Sequence, residues 1–101
     1  MKLNLDKLLG DVKNDIDITW SDVSTDKKVL EDIKTGIRKF DRLSATENDY
    51  TEEGSACRYL LFNYCRYAWN NCIPDFDSNY KKDIMDFVID HEVSKENEKK
   101  L

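Results

Sequence analysis

Chain breakers are scarce. Proline occurs once, at Pro74, and glycine three times, at Gly10, Gly36 and Gly54, in 101 residues. So few of them exclude a turn-rich β architecture and favour long helices. The glycines lie too far apart to form a phosphate-cradling loop. Histidine also occurs once, at His91, and no serine or cysteine has an obvious paired base in the sequence. Most catalytic schemes are thereby set aside, and no enzymatic activity and no cofactor are expected. The three cysteines, Cys57, Cys65 and Cys72, match no zinc-ligand spacing. An odd number of cysteines without a secretory leader predicts an intracellular chain with reduced thiols. The longest uninterrupted apolar stretch is Tyr59 to Phe62, and the opening MKLNLDKLLGDVK holds no signal-peptide core, so a soluble chain without a membrane span is expected.

Hydrophobic residues make up 40% of the chain and charged residues 37%. The first fraction is enough for one core. The second is high for a self-contained globule and points to solvated helix faces or surfaces kept for partners. Net charge is −5, with acids and bases interspersed, which does not describe a nucleic-acid-binding domain overall. The pattern predicts an all-α domain over residues 1–91, a small bundle of about four helices. Residues 92–101 read as a charged tail or frayed helix end that orders on a partner.

Four periodic segments carry that expectation. Leu5, Leu8, Leu9, Val12 and Ile16 make one stripe over about Leu3 to Asn14. Val29, Leu30, Ile33, Gly36, Ile37, Phe40 and Leu43 make a second over about Thr25 to Leu43, capped by Ser24 or Thr25, with Gly36 placed for close approach of a neighbouring helix. The third runs from Glu52 to about Cys72 behind Thr51 as N-cap. It is apolar around most of its circumference and reads as the central, aromatic-rich helix. Ile73-Pro74-Asp75-Phe76-Asp77 reads as a sharp connection, and a last helix starts near Ser78 with Tyr80, Ile84, Phe87, Val88 and His91 on one side.

Several clusters invite a functional reading. Asp11, Asp15 and Asp17 suggest calcium, but an EF-hand loop from Asp15 needs glycine where Trp20 stands and glutamate where Asp26 stands, so solvated acids are expected. Asp83, Asp86 and Asp90 beside His91 lack a second ligand set or a nucleophile, which leaves an exposed acidic face and no metal. Cys65 and Cys72 share a helix face, where buried thiols are the ordinary outcome. Lys27, Lys34, Arg38 and Arg42 form a basic face on the second helix, diluted by Glu31, Asp32 and Asp41. It is a solvated surface, a partner for an acidic neighbour, or a phosphate contact. The aromatics of the third helix exceed what four helices can enclose. Tyr59, Phe62 and Tyr67 are therefore candidates for a subunit interface, with core packing the alternative.

The layout as a whole resembles the phage head–tail connector family. The resemblance rests on segment order and character: LNLDKLLGDVK, an Asp-rich break, DVSTDKKVLEDIKTGIRKF, a polar loop ending NDY, then CRYLLFNYCRYAWNN and a closing amphipathic helix. Val29, Ile33, Ile37 and Phe40 match the family's stripe on the second helix. Leu60, Leu61, Tyr64 and Trp69 match its third. The resemblance implies a subunit of a homo-oligomeric, usually dodecameric ring beneath the portal protein of the virion, made in the host cytoplasm before assembly. Such a ring extends the DNA channel, lets packaged DNA pass without specific binding, and docks a neck, stopper or tail-completion protein. It also implies portal contact by the C-terminal segment, which singles out Lys95, Lys99 and Lys100. The alternative is a small helical phage or bacterial regulator that binds nucleic acid or a protein partner through Lys27, Lys34, Arg38 and Arg42.

Overall fold

The computed structural model describes the backbone of residues 4–100 and the side chains of residues 4–94. Five helices follow one another: α1 (Leu5–Asp15), α2 (Val23–Ser44), α3 (Ala56–Trp69), α4 (Ile73–Asn79) and α5 (Lys81–Lys100). No strand occurs among the described residues.

Helix starts follow local hydrogen-bond chemistry. Asp22, not Ser24 or Thr25, caps α2. Its carboxylate accepts from the Thr25 amide at 2.9 Å and the Thr25 hydroxyl at 2.6 Å, satisfying amides that the first turn cannot. Hydrogen bonds from Thr25 and Ser24 hold the Asp22 carboxyl down to about 2. The third helix is shorter than its sequence pattern predicts. Thr51 does not cap it, because its amide and hydroxyl both turn back to the Asp49 side chain. Gly54 then takes the left-handed conformation (φ +79°), and Ser55 becomes the N-cap. Glu52 and Glu53 consequently lie in the connection.

The expected connection at Ile73–Asp77 is instead helix α4. Pro74 sits in its first turn, where a missing amide hydrogen costs nothing. Asn71 just upstream takes φ +58°, which turns the chain out of α3. The last helix therefore begins at Lys81, after Tyr80 has ended α4. Its backbone stays helical through Lys100.

Packing converges on Phe40, which is fully buried on α2. Its ring meets Tyr64 of α3 at 6.1 Å, Phe76 of α4 at 6.2 Å and Phe87 of α5 at 6.2 Å, all edge-to-face. Helices α2 and α3 approach closely at Gly36. A Cβ there would meet Leu61 Cδ1 at 2.6 Å and Tyr64 Cδ2 at 3.0 Å. Helix α3 touches all four other helices. Ion pairs join elements at the periphery: Lys13–Asp26 at 2.7 Å, Arg66–Asp15 at 2.8 Å and Lys39–Asp77 at 3.0 Å. Most are partly exposed and each contributes little.

Replacing Phe40 with alanine removes one ring from three aromatic contacts and leaves a cavity. The expected loss is about 3–5 kcal/mol, a large share of the stability of a small domain. Urea denaturation measures it, and Phe40→Leu should lose less. Gly36→Val should also lower the melting temperature, by forcing α2 and α3 apart.

Candidate interaction surfaces

The basic face of α2 arises by elimination. Val29, Ile33, Gly36 and Phe40 turn inward, so Lys27, Lys34, Arg38 and Arg42 turn to solvent, and all four are exposed. The remaining bases of the helix are engaged. Lys28 pairs with Asp32 at 3.3 Å and lies 5.1 Å from the Trp69 ring centroid, and Lys39 reaches Asp77. Among the described residues no ion pair holds the four outward bases. A groove of about 590 Å³ between α1 and α2 is bordered by Lys34 and Arg38, with Leu5 and Ile37 on its floor.

The three aromatic candidates of α3 sit in different settings. Tyr59 is 51% exposed, with its ring 6.0 Å from Tyr80. Tyr67 is half-buried between Phe76 at 5.8 Å and Tyr80 at 5.7 Å, and its hydroxyl accepts from Asn79. Phe62 is half-buried under the Arg58 guanidinium at 4.3 Å. Arg58 in turn donates to the Tyr50 carbonyl and pairs with Asp11. Tyr80 thus gathers Tyr59 and Tyr67, while Phe62 stands apart with Arg58. Tyr80 also donates to Asn63 Oδ1 at 3.0 Å.

The acidic clusters separate. Asp11 pairs with Lys7 and Arg58, and Asp15 pairs with Arg66, so both tie helices together. On α5, Asp83, Asp86 and Asp90 are exposed, and no intrachain ion pair holds them among the described residues. His91 does not join them. Its Nδ1 lies 2.9 Å from the Phe87 carbonyl and its Nε2 lies 2.9 Å from Asn48 Oδ1. Among the described residues no group of three or more His, Cys, Asp or Glu is placed to hold a metal ion. No helix among them is long and apolar enough to cross a membrane. Burial pushes the Cys65 thiol well up from its ordinary value, and Cys72 donates to the Tyr67 carbonyl. The side chains of Lys95, Lys99 and Lys100 lie outside the described residues.

Two features escape the sequence pattern. Tyr50, at the end of the polar loop, is fully buried. Its hydroxyl donates to Asp41 Oδ1 at 2.7 Å, and the same oxygen accepts from the Asn48 amide and side chain at 3.1 and 2.8 Å. Asn48 thereby joins α2 to His91 of α5. No periodicity marks a lone loop tyrosine. The second feature is a row on α5: Met85, Ile89 and Val93, each about half exposed. Its i, i+4, i+8 spacing was legible, but the inward stripe on the same helix obscures it. Trp20 and Val23 add exposed apolar surface at the start of α2, Val23 at 87%.

Burial, and then the hydrogen bond to Asp41, hold the Tyr50 hydroxyl far above its ordinary value. Above pH about 10 the unfolded chain loses a proton that the folded chain keeps, so stability falls as pH rises beyond that point. Tyr50→Phe should lose about 1–2 kcal/mol at neutral pH, with a shallower decline above pH about 10, read from melts at stepped pH. Asn48→Ala should lower the melting temperature and speed amide exchange in α5. No family model, no curated protein and no solved structure matches this chain.

Proposed function

We propose that this chain is a structural virion subunit, a head–tail connector that assembles with copies of itself into a dodecameric ring under a portal protein. The ring extends the DNA channel and docks a neck or tail-completion protein, and the subunit performs no chemistry of its own. In this reading α3 is the central helix of a bundle, and the net acidity lets DNA pass without adhering. Segment order supports the reading. The structural observation that carries it is the row Met85, Ile89 and Val93, three half-exposed apolar side chains along one side of a helix that continues to Lys100. Surface of this kind on a small, charge-rich domain marks a place for a protein partner.

A second reading draws on the row Lys27, Lys34, Arg38 and Arg42, which no ion pair holds among the described residues: a small helical regulator that binds nucleic acid. Glu31 within the row and the net charge of −5 weigh against it.

Negative-stain imaging and mass photometry of the protein with a portal oligomer separate the two. Rings, or stoichiometric addition to the portal, are the expected result. A monomer that never binds portal yet retards DNA in a salt-dependent way would overturn it in favour of the regulator. Tyr59→Glu, at the most exposed aromatic of α3, should impair assembly while leaving the melting temperature nearly unchanged.

A further inference from the structure

Among the described residues, outward bases without an ion pair gather on α2 and a row of acids without one on α5, while other such acids, Asp6, Glu52, Glu53 and Asp75, are scattered over the remaining elements. Five acids that take part in ion pairs, Asp11, Asp15, Asp26, Asp32 and Asp77, lie on α1, α2 and α4. None of the acids of α5 does so among the described residues. Asp83, Asp86, Asp90 and Glu92 are all exposed on that helix, against Lys81 and Lys82 in its first turn. On α2 the outward row is the reverse: Lys27, Lys34, Arg38 and Arg42 against Glu31.

Each charged face also borders exposed apolar surface. At 100° per residue, Val93 falls within about 60° of both Asp86 and Asp90 on α5, and Ile89 within about 60° of Asp86. Val23 falls within about 40° of Lys27 on α2, with Trp20 exposed just upstream. Asp83 to Asp90 spans about 11 Å of α5 and Lys27 to Arg42 about 23 Å of α2, so the acidic stretch fits within the basic one. The intervals match as well: Asp86 to Asp90 and Arg38 to Arg42 are both one helical turn, about 6 Å.

We infer that the acidic, apolar-rowed face of α5 in one copy docks on the basic face of α2 in the next copy. The contact presupposes the ring-forming subunit proposed above. It joins two different surfaces of the same chain, a heterologous contact, which is the type that closes into a ring when repeated by rotation. The opposite arrangement, α5 against α5 about a two-fold axis, sets Asp86 and Asp90 of one copy against those of the other and is repulsive. Charge complementarity thus selects both the occupant, a second copy, and the polarity of the contact. It also accounts for why the four outward bases of α2 make no ion pair among the described residues.

Two charge-reversed variants test the pairing: Arg38→Glu with Arg42→Glu on α2, and Asp86→Lys with Asp90→Lys on α5. All four positions are exposed, so both variants should fold, as circular dichroism checks. Sedimentation velocity at low salt is the readout. The wild type should self-associate, and more weakly as salt shortens the screening length. Each variant alone should associate at least about tenfold more weakly, because both of its faces then carry the same sign. An equimolar mixture of the two variants should recover association, since each supplies the face that the other lacks.

Wild-type association that neither reversal changes would overturn the pairing and leave the ring reading intact. A wild type that stays monomeric at about millimolar concentration in low salt would also overturn it, and the ring reading would then rest on the portal experiment alone. If the α2 reversal abolishes retardation of DNA while the protein is monomeric throughout, the basic face is a phosphate contact and the inference fails.

Discussion

The fold depends on the edge-to-face contacts of one ring. Phe40 is the place where α3, α4 and α5 all meet α2, through Tyr64, Phe76 and Phe87. These contacts join residues distant in sequence and bring three separate segments onto one ring. The short helix α4 depends on them most. Seven residues opened by a proline cannot hold a helix alone in water. Fully buried Phe76, packed on Phe40, Tyr64, Tyr67 and Tyr80, anchors α4 against α2 and α3.

A polar brace adjoins the aromatic hub near the C-terminal end of α2. Asp41 gathers the Tyr50 hydroxyl and the Asn48 amide groups, and Asn48 hands the connection on to His91. The brace satisfies the hydroxyl of buried Tyr50, and among the described residues no buried side-chain polar atom lacks a partner. It also sets the departure of α5. His91 is held against Phe87 and Asn48, while Glu92, Val93 and Ser94 beyond it are exposed. The only histidine of the chain is thus a structural tie between helices, with both ring nitrogens engaged.

Much of the helical layout was legible from spacing. The stripes of α1 and α2 turned inward as their period requires, with Leu8, Val12, Val29, Ile33 and Phe40 in the core, except at Leu43 in the last turn of α2, which stays exposed. Gly36 lies where a neighbouring helix comes closest. The misreadings share a cause. Pro74 serves as a helix breaker or a helix starter, and only the burial of Phe76 decides between them. Thr51 is as good a cap as Ser55 by residue type. Asp49 draws Thr51 into a local turn, and the left-handed Gly54 follows it. Tyr50 stands alone in a polar segment, so no periodicity could mark it as core.

The sequence by itself determined that the chain is helical, which faces of α1 and α2 turn inward, and that four bases of α2 turn out. Those properties follow from short-range periodicity and from the scarcity of breakers. Tertiary structure alone decided which inward rings meet, that Tyr80 joins Tyr59 and Tyr67 but not Phe62, and that α5 keeps a second apolar row uncovered. These outcomes depend on interhelical packing, which pairs side chains far apart in the chain. A helix can have an apolar side that the sequence displays plainly, yet only its neighbours determine whether that side is covered. For α5 they cover the stripe of Ile84, Phe87 and Val88 and leave Met85, Ile89 and Val93 outside.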